Sequence, residues 1–379
     1  MKIAILTQPL KSNYGGMLQA FALQSTLKNL GHDVVTIDRQ LNDKSNFRKI
    51  LSFCKDLLRL LTLKKVPHRF DSKQQNLIFE NTLNFIRSHI NLTERIGSDR
   101  NMRLHFADNN YDAVIVGSDQ TWRPSYSPNI YNFYLDFLTN SQTKRIAYAT
   151  SFGVDHWEYS KFQTMRCREL ASKFNAISVR ERSGVNLCKT HLNADAEFVL
   201  DPTLLLSAND YLSRLEINTE NHRSNGLFTY ILDSNEDKNS AITKVAEHLK
   251  LRPFSSQATS SILKGDGKII EEYVLPKVEE WIKGIHNAEY VITDSFHGCV
   301  FAIIFNKPFL AIGNVNRGQA RFDSLLKLFN LEHRLISDSS QVRLDITSDD
   351  IDWPSINRTL REHKTQSLKY ITTSLGNNT

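Results

Sequence analysis

The sequence predicts an α/β protein made of two doubly wound parallel sheets that face each other across a cleft. Three observations carry that reading. The chain has 379 residues, more than one core usually supports, because single cores stop growing above roughly 250 residues. Short apolar runs of strand length alternate with segments of helix length, and no hairpin turn separates them, which is the pattern of βαβ units. The alternation occurs twice, once on either side of a polar stretch from Asn218 to Asn225 that reads as a connection. A composition of 40% hydrophobic and 23% charged residues excludes long disorder and leaves a folded globular protein.

The elements follow in order. Lys2 to Thr7 is a short buried strand leading into Asn13-Tyr-Gly-Gly16. An amphipathic helix is expected from about Met17 to Leu30, ended by Gly31, and a second strand at Val34 to Asp38. Strands at Ala113 to Gly117, Arg145 to Thr150 and Ala176 to Val179 extend the sheet. Between them lies an insertion, about 41–106, with no strand pattern. Within it Phe47 to Lys65 places Ile50, Leu51, Leu57 and Leu61 on one side and Arg48, Lys49, Lys55 and Arg59 around the other. That helix covers the sheet or packs on a neighbour; the other reading is an interfacial helix resting on anionic lipid. The second set begins at Leu227 to Leu232 and continues through a helix near Val278 to Ile285 and strands at Tyr290 to Thr293 and Phe309 to Ile312. Pro354 to Leu375 reads as a terminal helix with Ile356, Leu360, Leu368 and Ile371 on one face. The expected division is an N-terminal Rossmann-like domain at 1–215, a C-terminal one at 216–345, and a closing helix at 346–379. Two such domains closed by a terminal helix resemble the GT-B architecture.

Charge and cysteines narrow the function classes. The basic residues are interspersed with acids and the formal charge is only +6, which points to anionic small ligands and away from nucleic acid. Cys54, Cys167, Cys188 and Cys299 are scattered and form no CxxC pair, so no zinc knuckle or disulfide framework is signalled. Met1 to Leu10 lacks the apolar length of a signal peptide and no run approaches a membrane span, so a cytoplasmic location is expected.

The stretch richest in chemistry is Tyr290-Val-Ile-Thr-Asp-Ser-Phe-His-Gly298. A buried strand ends at Thr293, Asp294 or Ser295 can cap the next helix, and Asn306-Lys-Pro308 stops it. His297 then sits in a first helical turn at the carboxyl edge of a parallel sheet. Open α/β sheets bind ligands at that edge, and free helix-start N–H groups favour phosphate.

These residues also carry a resemblance. With Asn13-Tyr-Gly-Gly16, Tyr111-Asp-Ala-Val-Ile-Val-Gly-Ser-Asp-Gln-Thr-Trp122, Ile177-Ser-Val-Arg-Glu-Arg-Ser183, Asp201-Pro202 and Arg321-Phe-Asp-Ser-Leu-Leu326, the chain from about Ile3 to Arg334 resembles the polysaccharide pyruvyl transferase family. Many relatives have Arg-Leu before the histidine, where this chain has Ser295-Phe296. The resemblance implies phosphoenolpyruvate as donor, a hexose or lipid-linked oligosaccharide as acceptor, and a pyruvate ketal and phosphate as products. No cofactor or metal is implied, and a lipid-linked acceptor would bring the protein to the inner face of the membrane.

Mapped onto this sequence, His297 is the acid that protonates the methylene carbon or a phosphate ligand. Arg180 matches the family's arginine and would grip phosphoenolpyruvate; the other reading is an ion pair with a nearby acid, and Arg182 is in reserve. Ser295, Asp294 and Gly298 would cradle phosphate, and Arg321 would add charge or lie on a surface helix. On the acceptor side stand Asn13, Gly15 and Gly16, where the glycines admit a ligand or simply make a tight turn. Asp119 is the base or a helix cap, Gln120 reaches the cleft, and Trp122 stacks on a sugar. Two rivals remain. One is a GT-B glycosyltransferase with Glu272 and Glu280 as paired glutamates, in a stretch that reads as exposed. The other is a noncatalytic sugar-phosphate binding protein.

Overall fold

In this computed structural model, residues 1–42, 70–139, 142–218, 226–262, 265, 267–314, 317–345 and 350–376 are described. Each apolar run of strand length forms a strand, and every pairing between them is parallel. The N-terminal sheet contains β1 (Lys2–Leu6), β2 (Asp33–Ile37), β3 (Ala113–Val116), β4 (Lys144–Thr150), β5 (Ala176–Val179) and β6 (Glu197–Phe198), in the order β2-β1-β3-β4-β5-β6. The C-terminal sheet contains β7 (Leu227–Tyr230), β8 (Pro253–Phe254), β9 (Tyr290–Thr293), β10 (Phe309–Ile312) and β11 (Leu335–Ile336), in the order β11-β10-β9-β7-β8. Both sheets wind outward from their first strand, so the direction reverses between β1 and β3 in one and between β7 and β9 in the other. Helices cover both faces, which is why β3 and β9 are buried at every residue and read as unbroken apolar runs.

The helices are α1 (Tyr14–Asn29), α2 (Ser72–Ile78), α3 (Glu80–His89), α4 (Asp99–Asp108), α5 (Lys161–Ala171) and α6 (Arg182–Leu187), followed by α7 (Ala208–Arg214), α8 (Glu236–Leu249), α9 (Val278–Asn287), α10 (Phe296–Ile304), α11 (Ala320–Leu328) and α12 (Trp353–Leu375). The insertion is thus helical over its described part, and it is tied to the sheet by bridges from Thr36 to Leu92 and from Arg39 to Ile96. The expected helix at Phe47 to Lys65 lies outside the described residues. No helix among the described residues is long and apolar enough to cross a membrane.

Helix α1 corrects one expectation: it is not amphipathic. Tyr14 through Leu27 are all buried, because the helix is covered on two sides. Leu23 and Leu27 pack with Ile3 and Ile5 of β1, while Met17, Leu18 and Phe21 join an apolar cluster with Val300 and Phe301 of α10. A helix apolar all round belongs in an interior. Its buried side-chain amides bond to neighbours: Gln19 Nε2 donates to Thr7 Oγ1 at 2.8 Å, and Gln24 Oε1 accepts from the Asn91 backbone amide at 3.1 Å. Helix α1 also begins at Tyr14, so Gly15 and Gly16 lie in its first turn and not in a loop.

The terminal helix α12 spans both halves. Ile356 joins the cluster that contains α10, and Tyr370, Ile371 and Leu375 pack under the N-terminal sheet. Tyr370 Oη donates to the Ala147 carbonyl at 2.9 Å and Ser367 Oγ accepts from the Leu200 amide at 3.0 Å. The two carboxyl edges therefore meet, and the Tyr14 hydroxyl donates to the Pro276 carbonyl at 2.6 Å across the seam.

Candidate active site

In an open parallel sheet the ligand crevice lies beyond the carboxyl ends of the strands, where the winding reverses. Each half supplies such a point, and the two face one another. From the N-terminal sheet, Asn13 follows β1 and Asp119 follows β3, and their side chains meet with Asn13 Nδ2 3.4 Å from Asp119 Oδ2. From the C-terminal sheet, the chain after β7 approaches Asp294 and His297 after β9. A cavity of about 530 Å³ opens between them, lined by Asn13, Gly16, Asp119, Gln120, Asp294, Ser295, Phe296, His297 and Arg321, with Lys11, Tyr126, Tyr230 and Arg317 at its walls.

His297 is the second residue of α10 and is 5% exposed. Its Nε2 lies 3.8 Å from Asp201 Oδ2, too long for a hydrogen bond, and has no hydrogen-bond partner. On its other side the imidazole lies against the first turn of α1. A Cβ on Gly15 would fall 1.9 Å from His297 Nδ1, so only glycine fits there. Gly15 makes room for the imidazole and does not line the cavity. Burial, reinforced by the Arg180 charge, lowers the His297 pKa to about 4 against the pull of Asp201. The ring is neutral at pH 7.

Asp201 ties the two halves of the site together. Its Oδ2 accepts from Arg180 Nη1 at 2.7 Å and from Ser118 Oγ at 2.8 Å, and its Oδ1 accepts from the Thr203 hydroxyl at 2.6 Å. Burial alone would raise this carboxyl, but His297, Arg180 and the Thr203 bonds outweigh it and hold it at about 2. With the imidazole neutral, the permanent charge of Arg180 carries that depression. Arg180 Nη2 lies 3.4 Å from Asp119 Oδ1. Burial works against the Arg180 charge, yet Asp201 and Asp119 outweigh it and the guanidinium pKa is raised. Asp119 is 6% exposed at φ 77°, a left-handed conformation held at a cost, and its Oδ1 accepts from the Gln120 amide at 2.8 Å.

Arg180 therefore differs from its expected role as the grip on phosphoenolpyruvate. Its side chain has zero exposure and does not line the cavity, and its two prongs are used on Asp201 and Asp119. Arg321 does line the cavity, together with Lys11 and Arg317, and is 6% exposed, with Nη2 donating to the Arg317 carbonyl and Nε without a partner. Burial and the nearby Arg180 lower its pKa to about 10, so it stays charged at neutral pH. The Phe296 ring contacts both arginines, its centre 4.9 Å from the Arg180 guanidinium carbon and 5.4 Å from that of Arg321. An aromatic ring attracts each cation and offsets part of their mutual repulsion.

The start of α10 is open. Ser295 occupies the N-cap but its side chain makes no capping bond. Asp294, the other expected cap, turns away: its carboxylate accepts from Leu232 N at 2.6 Å, Asp233 N at 3.1 Å and Lys238 Nζ at 2.7 Å. Asp294 is a brace holding the turn after β7 against β9, not a ligand for phosphate. The first-turn N–H groups of a helix have no intrahelical acceptor, so this end can receive an anion.

Two other expectations are corrected by packing, and a third is met. Trp122 has zero exposure, its Nε1 donates to the Phe133 carbonyl at 2.9 Å, and its ring stacks on Tyr134 with centroids 4.7 Å apart. It belongs to the core and cannot stack on a sugar in the cavity. Gly298 faces β9, where a Cβ would meet Thr293 Oγ1 at 2.3 Å, so it serves helix–strand packing. Gln120 lines the cavity, but its Oε1 already accepts from Arg123 Nη1 at 3.1 Å. The glutamates of the glycosyltransferase reading do not line the cavity either: Glu280 is exposed on α9, and Glu272 Oε2 accepts from Ser260 and Lys268. The sequence reading missed Asp201, Phe296 and Arg317. Asp201 stood in the quoted Asp201-Pro202 pair, the one signal that could have found it.

Comparison with known proteins adds two findings. The family model described as "Polysaccharide pyruvyl transferase" matches residues 13–316. No curated protein matches the sequence. Among solved structures, the fold is similar to that of the UDP-GlcNAc 2-epimerase from Methanocaldococcus jannaschii, at 11% identity, covering 93% of this chain and 92% of that one with a TM-score of 0.52. It is also similar to a putative UDP-N-acetylglucosamine 2-epimerase from Listeria monocytogenes, at 11% identity, covering 100% and 97% with a TM-score of 0.53. At such identities the likeness establishes the two-domain GT-B fold and nothing about substrate.

Proposed function

The chain belongs to the polysaccharide pyruvyl transferase family, and from that premise we propose that it transfers the pyruvyl unit of phosphoenolpyruvate to two hydroxyls of a hexose in a polysaccharide or its precursor. The observation that carries this reading is the junction at His297. A buried imidazole with an unpartnered Nε2 stands at an uncapped helix start, beside Asp201, in a cavity whose buried cation is Arg321.

The donor carries a phosphate and a carboxylate. In this reading the N–H groups at the start of α10 and the Arg321 guanidinium receive them, with Ser295 beside. These groups supply the charge that relatives place at the arginine before the histidine. His297 is neutral in the free protein, and two anionic groups beside it raise its affinity for a proton. Asp201, already ionised, stabilises the imidazolium once it forms. The acid then protonates the methylene carbon while a sugar hydroxyl attacks the adjacent carbon and gives its proton to Asp119. Phosphate leaves as the bond between that carbon and the phosphate's bridging oxygen breaks, and the second hydroxyl attacks the same carbon to close the ring. Of the two hydroxyl protons lost overall, one replaces the proton given to the methyl carbon and one leaves with phosphate. Arg180 holds Asp201 and Asp119 in place for this sequence. Asn13, Gly16 and Gln120 face the acceptor.

The test is release of inorganic phosphate from phosphoenolpyruvate in the presence of a panel of hexose-containing acceptors, with the ketal identified by mass and NMR. Acceptor-dependent phosphate release with a mass gain of one pyruvyl unit is expected. Consumption of a nucleotide sugar, with phosphoenolpyruvate untouched, contradicts the reading.

A further inference from the structure

Glu181 follows Arg180 in the chain and has zero exposure. It occupies the N-cap position of α6, yet its side chain makes no capping bond there. The carboxylate reaches instead to the turn after β4, where Oε1 accepts from the Phe152 amide at 2.7 Å and from the Gly153 amide at 3.2 Å. Burial pushes the carboxyl above its ordinary range, against the pull of Arg180 and of the two amides. The turn it holds is aimed by the strand before it. Strand β4 shifts register between Ala147 and Thr150, and Ala149 takes a left-handed φ of 51° within that shift. Bulges of this kind redirect the chain beyond them, and a strained residue persists only where its surroundings hold it. Here the Ser178 hydroxyl accepts from the Ala149 amide at 3.1 Å.

The redirected turn meets the other half of the molecule. A Cβ on Gly318 would fall 2.1 Å from the Gly153 carbonyl oxygen, so the loop between β10 and α11 lies backbone against backbone on the turn. Gly153 and Gly318 are both left-handed, at φ 76° and 103°, and glycine alone combines that conformation with so close an approach. A Cβ on Gly153 would also strike Gln120 Oε1, at the cavity wall, at 2.0 Å. The loop seated on this turn carries the cations of the cavity: Arg317 precedes Gly318, and its carbonyl accepts from Arg321 Nη2. One residue past Glu181 a second bond crosses the seam, from the Arg182 amide to Ser324 Oγ of α11 at 3.0 Å. Burial and Arg180 weigh against the charge on Arg321, and Asp119 and Glu181 favour it.

We propose that Glu181 is a positioning residue for the donor: by fixing the turn after β4 it seats the loop before α11, and so sets the place of the Arg321 guanidinium in the cavity. The inference rests on the reading of Arg321 as a ligand of phosphoenolpyruvate. Glu181 itself does not line the cavity. Because it acts through Arg321, its loss is felt by the donor and not by the acceptor.

The experiment compares the native full chain with two variants. Glu181→Gln keeps the shape of the side chain and removes its charge, and Gly318→Ala presses a Cβ onto the Gly153 carbonyl from the other half. Each is also made in an Arg321→Met background. Calorimetric titration reads phosphoenolpyruvate binding, and phosphate release with a hexose-containing acceptor reads turnover. Each single variant is expected to bind phosphoenolpyruvate about tenfold more weakly, the worth of about one net hydrogen bond, with its KM raised to match and KM for the acceptor unchanged. In the Arg321→Met background neither substitution is expected to weaken binding further, because groups that act through one another are not additive. Unchanged donor binding in either folded single variant, equal losses for donor and acceptor, or additive losses in the Arg321→Met background overturn the role of Glu181 and leave the pyruvyl transferase reading standing. Donor binding weakened as expected, with no phosphate released to any acceptor, keeps that role and overturns the reading. No phosphoenolpyruvate binding by the native protein overturns both. If Glu181→Gln does not fold, Gly318→Ala decides by the same readings.

Discussion

The two carboxyl edges that meet at the cavity have the same winding but opposite electrostatic economies. On the N-terminal edge the charged groups satisfy one another: Arg180 pairs with Asp201 and Asp119, and Ser118 and Thr203 complete the shell around Asp201. On the C-terminal edge the brace is equally closed, since Asp294 is bound by Lys238 and two backbone amides. The next residues are not. The start of α10 is uncapped, and His297 Nε2 and Arg321 Nε are buried without partners. Buried polar atoms are almost always paired. Among those left over, His297 Nε2 and Arg321 Nε belong to residues that line the cavity, where a ligand can complete the bonding, whereas Arg180 Nε and Glu181 Oε2, also without partners, belong to residues that do not line it.

The sharpest way to break this contrast is to remove the imidazole. His297→Ala is expected to reduce turnover of phosphoenolpyruvate by about 10² to 10⁴-fold, the range of general acid catalysis, while the protein stays folded in calorimetry with a melting temperature lowered by the cavity that the buried ring leaves. A variant that unfolds instead would place the residue with the structural set.

The arginines provide the next comparison. Arg180→Met is expected to destabilise the protein by about 3 kcal/mol or more in urea titration, because it leaves Asp201 buried and unpaired. Arg321→Met removes a buried charge with no partner at Nε, so stability is expected to hold or rise while KM for phosphoenolpyruvate increases roughly tenfold. Reversed outcomes would exchange the roles of the two edges.

A smaller effect comes from acid. The folded His297 pKa is about 4, below its ordinary value near 6.5. Between these values the unfolded chain binds more protons than the folded one, so stability falls as pH drops through the window. Asp201, held at about 2, contributes stability above its ordinary value near 3.9 that is lost only as pH falls from there toward 2. Between pH 7 and 4 the native protein is expected to lose up to about 3 kcal/mol more than His297→Gln, measured by denaturant titration. Parallel pH profiles for the two proteins would mean that the imidazole titrates in the fold as it does in the unfolded chain.

Much of the fold was legible in the chain, and the reason is visible in β1, β3 and β9: strands covered on both faces must be apolar at nearly every position. The two-residue strands β6, β8 and β11 were not legible, since two residues carry no period. Helix α1 was expected three residues late and with a polar face, because the glycines of its first turn read as a loop and its outer cover comes from α10, far along the chain. His297 was legible from local order, a buried strand followed by a helix start. That its helix lacks a cap was not, because it depends on Asp294 turning toward Lys238, 56 residues earlier. Trp122 was misplaced for a related reason: it lies six positions past the end of β3 at Val116, where a side chain can face the cleft or the core, and the stack with Tyr134 decides it.

The central claim is that His297 is neutral in the free protein and is charged by an anion held beside it. Proton-detected ¹⁵N NMR of histidine-labelled protein tests this most directly, with the resonance assigned by its loss in His297→Gln. The expected result is a titration midpoint near 4 in the free protein that moves up by at least one pH unit on adding phosphoenolpyruvate. A midpoint at the ordinary histidine value, unmoved by phosphoenolpyruvate, would contradict it.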